Sequence, residues 1–263
     1  MNIPEQILDP VPIWLLFVGY AVISLIIFQA GYLLGRWWQE RTPDEHEGLT
    51  GMLVGSLLAT LAFLLAVTMG MASDRFDARR ALVLSEANTI GTTYLRAGYL
   101  PEPQSSDIQN LLREYVPLRV VVADNAQLVA NAARSVEIHE EIWATTEELA
   151  RTTPDSVVLG LFIETLNDMI DLHTERVVVG VYARVPDTVL YLLVIGAWLA
   201  VAMVGYNAGL TRHRSLLSAV ILIVALGAIL TLVVDLDRPR DGFVRVSQQA
   251  LVDLQEQLGP PSP

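Results

Sequence analysis

The stretch covering residues 48–100 constrains the fold more than any other part of the chain. Residues 48–73 carry no charge, and at about 1.5 Å per residue they outrun a ~30 Å hydrocarbon core, so this segment is expected to cross a membrane. Asp74, Arg75, Asp77, Arg79, Arg80, Glu86 and Arg96 then interrupt the apolar residues at helical spacing. The pattern predicts one continuous helix that leaves the bilayer and projects roughly 40 Å into water. Gly98 and the turn Pro101-Glu-Pro103 end it.

Along this helix Gly51, Gly55, Ala59, Ala62, Ala66, Gly70 and Ser73 recur every three or four residues. Such a stripe lets a second helix approach closely, which is how membrane helices associate when lipid offers no hydrophobic drive. Packing within one subunit is the plainer reading. A second row, Ser56, Thr60, Phe63, Val67, Gly70 and Asp74, is small, polar or aromatic, and suits the wall of a pore built from several copies. The two roles can coexist on one helix.

A chain of 263 residues with 52% hydrophobic content and a mean hydropathy of +0.44 is too apolar for a soluble domain and too charged to lie wholly in lipid. It reads as an integral membrane protein. Cysteine is absent, which excludes disulfides, thiolate catalysis and thiolate metal sites. All 17 basic residues are arginine. The net charge of -12 argues against nucleic acid as a partner, since phosphate binding needs a basic surface. Residues 1–10 carry Glu5 and Asp9 and no basic residue, unlike the basic start of a cleavable signal peptide.

In chain order, residues 10–35 form a first span with Trp14 and Tyr32 near its ends and Trp37 and Trp38 just beyond. The long helix supplies the second. A water-soluble helical insert occupies residues 74–187: Ser106 and Gln109 suggest a capping box, Pro117 a kink, and Thr153 with Pro154 the start of a helix running towards Arg184. Residues 188–211 and 215–234 give the third and fourth spans, Asp187 is the expected cap of the third, and Ser247 that of a short amphipathic helix with Leu251, Leu254 and Leu258 on one face. The expected fold class is all-α, a four-span membrane protein with a helical bundle inserted between spans 2 and 3. The divisions are 1–73, 74–187, 188–235 and a tail, 236–263. Both termini and the insert then share one side of the bilayer. Arg36, Arg41, Arg212 and Arg214 oppose a cytoplasmic insert, whereas Arg75, Arg79, Arg80, Arg184, Arg238, Arg240 and Arg245 favour one, and their excess tips the expectation weakly towards the cytoplasm.

Phe76-Asp-Ala-Arg-Arg80, Glu86-Ala-Asn88, Tyr94-Leu-Arg96, Leu100-Pro-Glu-Pro103, Leu236-Asp-Arg-Pro239, Gly242 and Arg245-Val-Ser247 resemble stretches of the bestrophin-like domain family of bacterial membrane proteins. That family's own function is unknown. The resemblance implies likeness to bestrophins, pentameric anion channels whose second span lines the pore and whose helical region lies in the cytosol. No stretch here matches the bestrophin hydrophobic neck or calcium clasp, so neither selectivity nor gating carries over residue by residue.

Other chemistry is sparse. His139-Glu-Glu-Ile-Trp143 lacks the second histidine of a zinc-protease helix and reads as helix surface. Glu164, Asp168, Asp171 and Glu175 form an acidic row, a solvated face first and a cation site second. Asp77, Arg79, Arg80, Glu86 and Asn88 are candidates for the mouth of a pore, or else pair along their helix. Asp235, Asp237 and Arg238 are expected to close the fourth span and pair with the arginines near residue 79. No phosphate loop, nucleophile elbow or metal triad stands out, so neither an enzyme nor a cofactor is expected. The leading expectation is an oligomeric ion channel passing small inorganic ions, anion-selective by resemblance; the alternative is a membrane-anchored structural or signalling module whose bundle binds a partner.

Overall fold

The computed structural model describes residues 10–41, 47–120, 125–181, 183–212, 215–238 and 242–261. These form eight helices and no strand: α1 (Ile13–Gln39), α2 (Glu47–Ala97), α3 (Gln104–Arg119), α4 (Asn125–Thr152), α5 (Val157–Val181), α6 (Asp187–Leu210), α7 (Leu216–Asp237) and α8 (Gln249–Leu258). Among them α1, α2, α6 and α7 are long and apolar enough to cross a membrane. The 51-residue α2 is unbroken, as its uninterrupted helical spacing predicts. The chain divides into two compact units, between residues 76 and 77 and between 183 and 184, with the last boundary between 245 and 246.

The membrane unit is organised by glycines. A Cβ added at Gly31 would lie 2.3 Å from the Ala202 carbonyl oxygen, one at Gly35 2.1 Å from that of Tyr206, and one at Gly205 2.3 Å from that of Phe28. Backbone therefore meets backbone between α1 and α6, and no larger residue fits. Phe28, Leu61, Leu65, Leu193, Ala197, Ala200, Val201 and Ile223 fill the core that α2 and α7 share with this pair. Ser215 caps α7, accepting the Ser218 N–H at 3.3 Å. Asp187 lies in the first turn of α6 behind Pro186, where its charge suits the helix dipole, and is not the cap itself.

At the far end of α7 the two acids and Arg238 are held by hydrogen bonds within the membrane unit. Asp237 accepts the Val185 N–H at 2.7 Å and Arg184 Nε at 3.3 Å. Asp235 accepts the N–H groups of Phe243 and Val244 at 2.8 and 2.9 Å, and Arg238 Nη2 donates to the Val11 carbonyl at 2.6 Å. Both carboxylates are buried, and each takes backbone N–H groups as donors, as a buried acceptor requires.

In the soluble unit Ile90, Ile108, Leu112, Ile138, Ile142, Phe162, Leu166, Met169 and Leu251 form the core. Two helix starts differ from the sequence reading. Pro103, and not Ser106 three residues later, holds the cap position of α3, so Ser106 turns its hydroxyl to Glu102 at 2.7 Å and Gln109 donates to the Tyr94 carbonyl instead of closing a capping box. Thr153 bonds back to the Leu149 carbonyl, and Ser156 holds the Leu159 N–H, so α5 begins after Pro154 and not at it. Pro117 lies inside α3, which ends two residues later. The helix of the tail, α8, belongs to this core: Leu251 and Leu254 are buried in it, and Arg113 Nε donates to the Leu258 carbonyl at 3.0 Å. Its start is held by Ser247, whose hydroxyl accepts the Gln249 N–H, with Gln248 in the cap position.

Candidate functional site: the free face of α2 and a buried charge cluster

Within the membrane unit α2 turns Leu61, Leu65, Thr68 and Ala72 into the core. Every third or fourth residue is thereby buried, and the opposite side is left exposed. That side carries Gly51, Gly55, Ala59, Ala62, Ala66 and Gly70 of the small-residue stripe, with Ser73 half-buried at its end. Nothing lies within 4 Å of a Cβ added at Gly51, Gly55 or Gly70, so the stripe does not pack within the subunit. The close packing expected of it falls to Gly31, Gly35, Gly205 and Gly209 on α1 and α6, whose two Gly-x-x-x-Gly spacings were the available signal.

The pore-lining candidates Ser56, Thr60, Phe63, Val67, Gly70 and Asp74 are all exposed on this same side. Thr60 donates its hydroxyl to the Ser56 carbonyl at 3.0 Å, which ties up the proton within the helix and leaves the oxygen lone pairs outward. The other three spans expose Leu15, Val22, Ile26 and Leu33 on α1, Leu192, Ile195 and Leu199 on α6, and Leu217, Ile221 and Val224 on α7; α2 exposes Leu49, Met52 and Leu53 beside its small residues. Bulky aliphatic side chains suit lipid, whereas a row of Gly, Ala, Ser and Thr lets another helix approach closely.

The mouth candidates separate once α2 enters the soluble unit. Asp77, Arg80 and Asn88 are exposed, whereas Arg79 is buried. Glu86 is not a mouth charge. Its side chain has 0% exposure, and its Oε1 takes Arg119 Nε at 2.6 Å while Oε2 takes Arg176 Nη1. Arg176 Nη2 continues to Gln248 Oε1 at 2.8 Å. His139 is not helix surface either: its ring centroid lies 5.0 Å from those of both Tyr115 and His173. Burial first, then the charge on Arg119, pushes His139 down to about 4 and His173 to about 3. Burial raises the Tyr115 hydroxyl and lowers Arg176. The acidic row Glu164, Asp168, Asp171 and Glu175 is exposed along α5, with Glu164 3.6 Å from Arg96 Nη1. Among the described residues no group of three metal-ligating side chains comes together.

The model of the bestrophin-like domain matches residues 21–251, nearly the whole chain. The chain belongs to the bestrophin-like domain family. No curated protein matches it. Its fold is that of solved structures: a bacterial bestrophin homologue from Klebsiella pneumoniae superposes with a TM-score of 0.71 at 13% identity, over 92% of this chain and 96% of that one. A mutant form of the same homologue gives 0.69 at 14% identity over 94% and 97%. This bestrophin-like protein is thus an all-helical integral membrane protein with a channel-like fold, as its sequence leads one to expect. Glu86-Ala-Asn88, one of the stretches that carry the family likeness, has its two ends on opposite sides of α2, Glu86 buried and Asn88 exposed. Sequence reasoning missed the role of Glu86 because Arg119 and Arg176 lie 33 and 90 residues further along.

Proposed function

We propose that this protein assembles from several copies into an ion channel whose path is lined by the exposed side of the second span. The observation that carries the reading is the row of small and hydroxyl residues Gly55, Ser56, Ala59, Thr60 and Gly70 exposed on α2, which runs among exposed Leu49, Met52, Leu53, Phe63 and Val67. Copies meeting around α2 would gain close contact from the small residues and a wettable wall from the hydroxyls. A pentamer follows from the family resemblance alone. The bundle faces the cytoplasm in this reading, by the excess of arginine on its side.

The exposed charge that continues the row is Asp74, and the hydroxyl oxygens above it are offered as acceptors. Both features favour cations, against the anion preference that bestrophin likeness implies. Purified protein in planar bilayers under a salt gradient tests both parts. Discrete currents are expected, with a reversal potential displaced towards the cation and moved towards the anion by Asp74→Arg. Folded protein without current sinks the channel reading; a reversal potential untouched by Asp74→Arg removes Asp74 from selectivity.

A further inference from the structure

The soluble bundle holds a cluster that conduction along α2 does not use. Each helix contributes: Glu86 from α2, Tyr115 and Arg119 from α3, His139 from α4, His173 and Arg176 from α5, with Gln248 preceding α8. The two arginine side chains are 8% and 13% exposed. Among the described residues Glu86 is the one carboxylate here, and each of its oxygens accepts from an arginine. Two positive charges therefore share one negative charge, away from water, while both histidines stay neutral near pH 7.

The hydrogen-bonding balance is tilted the same way. The Tyr115 hydroxyl, His139 Nε2 and His173 Nδ1 are buried and have no partner among the described residues. Each can present a hydrogen, the histidines through the choice of tautomer. Arg119 stands over the Tyr115 ring, its guanidinium carbon 5.7 Å from the centroid. Positive charge and donors are left over together, and the carboxylate that would accept is spent. A water molecule answers the donors but not the charge; a metal cation has the wrong sign. A small anion answers both.

We propose that this cluster binds a monovalent inorganic anion, a halide, inside the helical bundle, with Tyr115, His139 and His173 as donors in the field of Arg119 and Arg176. The site lies in the soluble unit and does not depend on whether α2 conducts. Its role is to balance the charge of the bundle core, so anion binding and bundle stability are linked.

Two measurements on the full chain test it. Thermal unfolding of the purified protein in bromide, chloride and gluconate at equal ionic strength should give midpoints about 3 °C higher in the halides. Tyr115→Phe should reduce that halide difference while leaving bilayer currents unchanged. Crystals grown in bromide should show its anomalous peak among Tyr115, His139 and His173. Equal midpoints in halide and gluconate, a halide effect undiminished by Tyr115→Phe, or a bromide-free bundle with water in that place would each overturn the site without touching the channel reading. Should Tyr115→Phe fail to fold, the bromide peak in the unaltered protein decides alone.

Discussion

The Asp235 carboxylate closes over Gly242 so tightly that a Cβ at position 242 would lie 2.3 Å from Oδ1. Gly242 holds φ at +148°, where a side chain is strained even in open space, and the carboxylate grips the next two N–H groups. Asp235→Ala strands those donors, and Gly242→Ala collides with the acceptor. Each is expected to lower the unfolding midpoint by about 5 °C, the scale of a lost charge-assisted hydrogen bond. Differential scanning of detergent-solubilised variants checks this; midpoints equal to the parent's would show that the carboxylate does not hold the segment.

The glycines divide into two kinds with opposite consequences. Gly205→Leu or Gly31→Leu forces a side chain into facing backbone and is expected to cost on the order of 3 kcal/mol, seen as loss of folded monomer. Gly55→Leu meets nothing within the subunit and should leave the monomer folded while reducing assembly. Size-exclusion chromatography coupled to light scattering separates the two outcomes. A Gly55→Leu protein that assembles normally would move the subunit contact away from α2.

Acid should weaken the bundle through its histidines. His139 and His173 sit below the ordinary value of 6.5, at about 4 and about 3, so the unfolded chain takes up protons first. Their contribution to stability is complete above 6.5, declines as pH falls through that value, and goes on declining to about 4 and then about 3. Glu86, Arg119, Arg176 and Tyr115 face the same pair; of these the two arginines oppose any added positive charge. Replacing both histidines by glutamine should flatten the fall in midpoint over this window. An equally steep fall would assign the acid sensitivity to other groups.

The sequence carried some of this plainly and hid the rest. Four uncharged stretches, and a helix whose apolar spacing never lapses between residues 48 and 97, leave no fold but a helical membrane protein with a long second span. Local pattern sufficed there because lipid demands it of every spanning helix. What remained hidden depends on distance along the chain. Glu86 looks like a surface charge until Arg119 and Arg176 arrive from α3 and α5, and the α2 glycines look like packing residues until Gly31 and Gly205 prove to occupy that role. Ser106 and Thr153 read as caps because each stands in a cap pattern; beside the prolines at 103 and 154, α3 starts ahead of Ser106, at Gln104, and α5 starts beyond Thr153, at Val157.

The claim on which the functional account stands is that the exposed side of α2 borders an aqueous ion path. The chain has no cysteine, so single cysteines can be introduced into a silent background. Currents through Thr60→Cys, Phe63→Cys and Val67→Cys channels should fall on addition of a charged, membrane-impermeant thiol reagent, while Ile26→Cys on the aliphatic face of α1 should not respond. Block at all three α2 positions with none at Ile26 is the result the account predicts; currents that persist through reaction at Thr60, Phe63 and Val67 would contradict it.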